Sequence, residues 1–136
     1  TNCRDALPRI QQVQRIDRAT RLNQSGLFTS IQDLMTRFNG RAVLNKVDAS
    51  HLIELSNVMI SKVETYRSDY QKYDLAISNL AQFQNCETQP TIFYASLTQV
   101  RGMRAQLARD VAEIEKIITE YRQQVKNIQQ ETGATS

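Results

Sequence analysis

The sequence is dominated by a long amphipathic segment, residues 90–128, in which apolar side chains recur every three or four positions. The residues that form this pattern are Phe93, Leu97, Val100, Leu107, Val111, Ile114, Ile118, Tyr121, Val125 and Ile128. This spacing places the apolar side chains on one face of an α-helix over roughly five heptads. Other helices must cover an apolar face of that length, so the segment predicts a helical bundle.

The composition also indicates an all-α fold. Four Gly and two Pro among 136 residues leave little turn material for a β-sheet. No segment approaches the run of roughly 18 to 20 apolar residues that spans a bilayer. We therefore predict a single helical domain over residues 1–136.

The first helix is predicted over about residues 5–39. Its expected apolar face consists of Ala6, Ile10, Val13, Leu27, Ile31, Leu34 and Phe38, with Ile16 and Met35 beside it. Residues 23–26 form its weakest stretch, where we expect a bend. Asn39 and Gly40 are predicted to end the helix, because Gly adopts the left-handed conformation of a helix cap.

Two further helices are predicted over about residues 48–84 and 90–129. Asp48 is the expected N-cap of the second, and Pro90 is expected in the first turn of the third. The apolar face of the second helix is Leu52, Met59, Val63, Tyr66, Tyr70, Tyr73, Ile77 and Leu80. The polar tail, residues 130–136, is expected to be frayed. Together these elements predict a long antiparallel up-down-up three-helix bundle with coiled-coil-like packing.

Both cysteines fall at the same end of such a bundle. A Cys3–Cys86 disulfide would close a loop of about 80 residues and stabilise the fold by roughly 4 kcal/mol. Such a bond favours an oxidising, extracytoplasmic location. The alternatives are two unpaired thiols, or a lipidated Cys3, for which the preceding Thr1 and Asn2 are an unfavourable context. Because the chain opens without Met, we expect that an export signal or membrane anchor has been removed.

Several short motifs occur together along the chain. They are Cys3, Ile10, Arg15-Ile16-Asp17-Arg18, Val47-Asp48-Ala49-Ser50-His51-Leu52, Cys86-Glu87-Thr88-Gln89-Pro90, Phe93, Leu97, Arg101, Arg104 and Ile114. In these motifs the chain resembles uncharacterised exported helical proteins of small-genome candidate-phylum bacteria, although a Gly expected before Val47 is missing. The resemblance implies export and a helical bundle, and it carries no catalytic residues.

The chain offers few groups for catalysis or metal binding. His51 is the single histidine, and we interpret it as a solvated side chain. Acidic pairs such as Glu113 with Glu115, or Asp110 with Glu113, are interpreted as part of the solvent-exposed face of a helix. Nucleophile motifs and phosphate-binding Gly loops are absent from the sequence. We therefore predict no enzymatic activity, no cofactor and no metal.

One polar layer stands out within the predicted apolar faces. Asp17, Tyr70 and Arg104 are expected at the same height in the three helices. An Arg104–Asp17 ion pair with the Tyr70 hydroxyl would satisfy groups that are costly to bury alone. We interpret it as a layer that fixes the packing of the helices, with a small-ligand or anion site as the alternative.

Basic residues concentrate in the first third of the chain, where residues 1–46 hold eight basic and three acidic side chains. Five of the arginines are expected to form a basic flank: Arg4, Arg15, Arg18, Arg21 and Arg101. A solvated face is the default interpretation. The alternative is a surface for an anionic partner, namely a lipid headgroup, a cell-wall polymer or nucleic acid.

A second surface, which we name the apolar tip, consists of Val43, Leu44, Val47, Ile53, Val58 and Ile60. The bundle core does not need these side chains. They are expected either to fold over the helix ends as a lid or to bind a partner or a second copy of the chain. The sequence thus favours a non-enzymatic extracytoplasmic scaffold or protein-interaction module of a bacterial cell envelope, monomeric or weakly self-associating. The alternative is a binding protein for a small or anionic ligand, through the arginines or the Asp17/Arg104 layer.

Overall fold

The computed structural model describes residues 3–132, which form three α-helices and no strand. Helix α1 spans Cys3–Leu44, α2 spans Ser50–Ala81 and α3 spans Pro90–Thr132. Contacts between α1 and α2 join early residues of one helix to late residues of the other, as in Gln11 with Ala81 and Gln14 with Ser78. The two helices are therefore antiparallel, and the predicted helical bundle is confirmed.

The chain divides into two compact units, each built from one segment of every helix. Unit 1 comprises Thr1–Gln24 and Tyr66–Arg109, and unit 2 comprises Ser25–Thr65 and Asp110–Ser136. The division of α1 falls between Gln24 and Ser25, inside the stretch that the sequence marks as its weakest. Helix α1 nevertheless continues through this stretch without a break.

Unit 1 is closed by the predicted disulfide, which joins Cys3 at the start of α1 to Cys86 in the α2–α3 connection. The two Cα atoms lie 5.8 Å apart and the cysteines are separated by 83 positions in the sequence. Both side chains are buried. The apolar core of unit 1 consists mainly of Ile10, Tyr66, Tyr73, Ile77, Leu80, Phe93, Val100 and Leu107.

Unit 2 has its own core, in which α1 does not present the predicted face. Leu27 and Leu34 are exposed, whereas Phe28 and Met35 are buried. Along α1, buried side chains recur every seven residues from Cys3 to Asp17 and again from Phe28 to Ala42. The step from Asp17 to Phe28, however, is eleven residues. This step is four residues longer than a heptad and makes three turns at 3.67 residues per turn, so the buried positions become Phe28 and Met35 instead of Leu27 and Leu34. The other large side chains of this core are Leu52, Leu55, Met59, Val63, Val111, Ile114, Ile117, Tyr121 and Ile128.

The end of α1 differs from the prediction. The helix continues past Asn39 and Gly40 to Leu44. It ends in a Schellman arrangement, in which Val47 N–H donates to the Ala42 carbonyl at 2.9 Å and Lys46 N–H donates to the Val43 carbonyl at 3.1 Å. Lys46 takes the left-handed conformation, with φ of 58°. The cap residue is thus a lysine rather than a glycine, which sequence rules for helix ends do not favour.

The remaining helix ends lie within a few residues of their predicted positions. Asp48 Oδ1 accepts from the Ser50 N–H at 3.0 Å and from the Ser50 hydroxyl at 2.7 Å, so it caps α2 from just outside the helix. Helix α2 ends at Ala81, three residues before the predicted Gln84. Helix α3 includes residues 130–132, which were expected to fray, and residues 133–136 lie outside the described part of the chain. Within residues 3–132, no helix is sufficiently long and apolar to cross a membrane.

Candidate functional site

The strongest polar cluster of unit 1 centres on Asp17, whose carboxylate is buried in α1. Arg104 of α3 donates from Nε to Oδ2 at 2.9 Å and from Nη2 to Oδ1 at 3.1 Å. The hydroxyl of Tyr73 in α2 also donates to Oδ2. The structure therefore brings the predicted Asp17 and Arg104 together, and all three helix segments of unit 1 contribute to the cluster.

Tyr73, and not the predicted Tyr70, is the third member of this cluster. Side chains on an α-helix lean towards its N-terminus, so the hydroxyl of Tyr73 reaches about the level of the preceding turn. Tyr70 is only half-buried and its hydroxyl interacts with Asp74 instead. A comparison of Cα heights along the bundle predicts Tyr70 as the partner, which lies one turn too early in α2, because it ignores the direction of the side chain.

The ionisation of the cluster follows from its contacts. Burial, reinforced by the hydrogen bond to the Asp17 carboxylate, raises the pKa of Tyr73. The hydrogen bond to Asp17 raises the pKa of Arg104 as well. The cluster is thus a neutral phenol and a guanidinium, both directed at one carboxylate whose two oxygens are engaged. This arrangement orients the three side chains and stabilises them by charge-assisted hydrogen bonds.

A second tyrosine of α2 also binds α1 within unit 1. The hydroxyl of Tyr66 lies 3.2 Å from the Arg21 carbonyl oxygen and 3.2 Å from Gln24 Oε1. Gln24 Oε1 accepts a further hydrogen bond from Arg21 Nη1 at 2.8 Å. The guanidinium of Arg21, predicted as part of the basic flank, is therefore turned towards a neighbouring amide.

Unit 2 contains a polar cluster that the sequence analysis missed. The hydroxyl of Tyr121 lies 2.5 Å from Asn39 Oδ1 and 3.1 Å from the Met35 carbonyl oxygen. Asn39 Nδ2 donates to the Ser56 hydroxyl at 2.8 Å. The sequence predicts Asn39 at a helix end, whereas it lies on the buried face of α1. The available signal was the tyrosine, because a buried Tyr hydroxyl usually requires a partner.

Most arginines of the predicted basic flank form ion pairs or hydrogen bonds with other residues of unit 1. Arg4 pairs with Glu87 at 2.7 Å. Arg18 donates to Asp74 at 2.9 Å and to the Ser78 hydroxyl at 3.2 Å, and the hydrogen bond to Asp74 raises the pKa of Arg18. Arg15 and Arg101 remain exposed. Three of the five arginines, Arg4, Arg18 and Arg21, are thus engaged within unit 1, and anion binding by the flank stays a prediction.

Arg101 instead borders a cleft of unit 1 together with Arg104 and Arg9. The cleft has a volume of about 440 Å³ and lies between α1 and α3, with α2 at its base. Arg9 was not among the predicted site residues. Its position four residues after Asp5 on the first turns of α1 gave no sign that it would meet arginines of α3.

The apolar tip belongs to unit 2, and most of it is exposed. The exposed fractions are 81% for Leu44, 56% for Val43, 45% for Ile60, 41% for Ile53 and 38% for Val58. Val47 is half-buried beside the helix end. The expectation of a lid is wrong, because Val43 and Leu44 are part of α1 and are not folded over it.

No metal site is formed among residues 3–132, since nowhere there do three His, Cys, Asp or Glu side chains converge. His51 is exposed on the first turn of α2, with Nδ1 3.9 Å from Glu54 Oε2. Comparisons of the chain with protein-family models, curated proteins and solved structures give no match. Function is therefore argued from the surfaces and clusters of the two units.

Proposed function

We propose that this protein is a non-enzymatic interaction module of an extracytoplasmic compartment, and that it binds protein through the apolar tip of unit 2. The observation that carries the proposal is the exposure of Leu44, at 81%, next to Val43 at 56%. Two adjacent large apolar side chains so exposed at one helix end are unfavourable in water unless a partner covers them.

Other members of the tip extend this surface along α2. Val43 and Leu44 immediately precede the α1–α2 connection, and Ile53 lies in the first turn after it. Ile53 and Ile60 are seven residues apart and therefore occupy the same side of α2. The exposed side chains thus lie on both sides of the α1–α2 connection of unit 2, and we propose that they act as one patch.

A second copy of the chain is the partner that this surface fits. The charged residues in segment 41–60 are Arg41 and Lys46 against Asp48 and Glu54, and all four are exposed. The patch is therefore close to neutral and does not repel an identical patch. Two copies related by a two-fold axis would each cover the other's Leu44. Because few side chains take part, we expect a small and weak interface.

The disulfide is the observation that supports an extracytoplasmic compartment. A Cys3–Cys86 bond persists in oxidising surroundings such as a periplasm, a cell surface or an extracellular medium, and is rare in reducing cytosol. Assignment to a bacterial cell envelope rests in addition on the resemblance of the sequence motifs.

Sedimentation equilibrium over a wide concentration range tests the proposal with a matched pair of variants. The average mass of the wild type should rise above that of the monomer as concentration increases, and Leu44→Ser should abolish the rise. Leu22→Ser is the control, because Leu22 is a similarly exposed leucine of α1, at 73%, that lies in unit 1. A wild type that stays monomeric at the highest concentration, or equal effects of the two substitutions, would contradict the proposal.

A further inference from the structure

The cleft of unit 1 has an apolar floor. Four of its lining side chains, Ile10, Ile77, Leu80 and Val100, are core residues and are buried. Its volume of about 440 Å³ lies within the range of roughly 300–1,000 Å³ that is usual for small-molecule sites. Tyr94, which is 44% exposed, adds an aromatic ring beside this floor.

The rim of the cleft is cationic. Arg9 and Arg101 are exposed there, and Arg104 keeps 51% of its side chain exposed while it binds Asp17. Among the described residues that line the cleft, Asp5 is the only acidic one. Since Asp17 already balances Arg104, the surplus positive charge comes from Arg9 and Arg101, with Asp5 opposing part of it.

An apolar floor under a cationic rim selects for a particular ligand chemistry. We propose that this cleft binds a small amphipathic anion, in which an acyl chain or ring rests on the floor and a carboxylate is held by Arg9 and Arg101. Burial of the apolar part supplies most of the affinity, and the guanidinium groups select the sign of the head group. This site is separate from the apolar tip, and the proposed protein contacts do not depend on it.

A neighbouring groove provides an internal comparison. It lies between α2 and α3 of unit 1, has a volume of about 540 Å³ and shares Leu80 and Val100 with the cleft. Among its lining residues, Lys72 is the single cation, accompanied by the polar side chains of Asn79, Ser96 and Gln99. The two grooves are therefore similar in volume, and they differ in the arginines, Arg9 and Arg101, that line only the cleft.

Isothermal titration calorimetry with three amphiphiles of equal chain length tests the inference. Laurate carries a carboxylate, dodecyl maltoside a neutral head group and dodecyltrimethylammonium a cation, and each is used below its micelle concentration. We expect laurate to bind about tenfold more tightly than the maltoside and the cation to bind most weakly. Equal binding of laurate and maltoside, or no heat with laurate at either of two well-separated temperatures, would overturn the proposal.

Variants locate the binding. Arg9→Gln combined with Arg101→Gln should weaken laurate binding about tenfold, because two exposed charge contacts are lost. Arg37→Gln, at an exposed arginine of α1 that lies in unit 2 and does not line the cleft, should leave the affinity unchanged. Ala6→Trp, which places a large ring in the cleft, should abolish binding in a protein whose helical circular dichroism is intact. If the double variant binds laurate as the wild type does, the site is wrong. Leu44→Ser should not alter laurate binding, so failure here is distinct from failure of the apolar-tip proposal.

Discussion

Arg104 of α3 donates two hydrogen bonds, at 2.9 and 3.1 Å, to the carboxylate of Asp17 in α1, and Tyr73 of α2 donates to the same group. One buried carboxylate thus has partners on both other helices of unit 1. A shift of either helix by one turn would leave Asp17 unsatisfied in the core, which is costly. The cluster therefore favours one alignment of the three helix segments over its neighbours.

Removal of the carboxylate should destabilise the fold. We expect Asp17→Ala to lower the free energy of unfolding by about 2 kcal/mol, since it leaves the buried Tyr73 hydroxyl without its acceptor. The half-exposed Arg104 can turn to water, which limits the loss. Asp74→Ala removes a more exposed ion pair with Arg18 and should therefore cost clearly less than Asp17→Ala. Urea unfolding measures both, and an unchanged stability of Asp17→Ala would argue against the cluster.

Because the pKa of Tyr73 is raised in the folded protein, the free energy of unfolding should decrease at alkaline pH. The folded protein holds the phenolic proton more tightly than the unfolded chain, whose pKa is near 10.0. The stabilising contribution is therefore complete below pH 10 and is lost as the pH rises through and above that value. Burial also raises the pKa values of Tyr66, Tyr70 and Tyr121, so they contribute in the same direction.

Tyr73→Phe tests this dependence. The variant should be less stable than the wild type at neutral pH by roughly 1–3 kcal/mol, because a hydrogen bond to a charged group is lost. Its stability should also fall less steeply above pH 10. Tyr94→Phe, at an exposed tyrosine, is the control and should follow the wild-type curve. Parallel curves for Tyr73→Phe and the wild type would show that this phenol is not responsible.

The C-terminal end of α1 offers substitutions that should stabilise the protein. Lys46→Gly should stabilise unit 2 by about 0.5–1 kcal/mol, because glycine adopts a positive φ without strain. Gly40→Ala should also stabilise by up to about 1 kcal/mol, since Gly40 lies inside α1 and an added Cβ would meet nothing within 4 Å. If α1 instead ended at Gly40, as the sequence suggested, the alanine would destabilise. Thermal unfolding of the two variants decides between these outcomes.

Loss of the disulfide should affect the two units differently. Joint replacement Cys3→Ser and Cys86→Ser removes a link across 83 positions, and should lower stability by about 4 kcal/mol. Both cysteines belong to unit 1, so amide hydrogen exchange should accelerate more in its helix segments than in those of unit 2. A cost below about 1 kcal/mol, or equal acceleration in both units, would contradict this expectation.

Much of the fold was predictable because it depends on local signals. The helical spacing of Phe93, Val100 and Leu107, and the placement of Cys3 and Cys86 at one end, follow directly from the residue pattern. The errors arose where three-dimensional context decides. A strict heptad interpretation of α1 misses the eleven-residue step that buries Phe28 in place of Leu27, and Schellman capping by Lys46 overrides the usual preference for glycine.

The sites were predictable only in part for a related reason. The pairing of Asp17 with Arg104 follows from height in an antiparallel bundle, but the choice of Tyr73 depends on the direction of a side chain. Whether an arginine is free depends on its neighbours, so sequence alone could not show that Arg18 is bound to Asp74. The cleft formed by Arg9 and Arg101 requires residues far apart in sequence, and no motif marks it.

The most direct test of the proposed function is a dilution series monitored by two-dimensional NMR. Amide signals of residues 43–60 should shift between micromolar and millimolar concentrations, because a second copy covers the apolar tip in concentrated solution. Signals of unit 1 should stay in place, and Leu44→Ser should remove the shifts. Spectra that do not change with concentration, or that change only in unit 1, would contradict self-association through Leu44 and its neighbours.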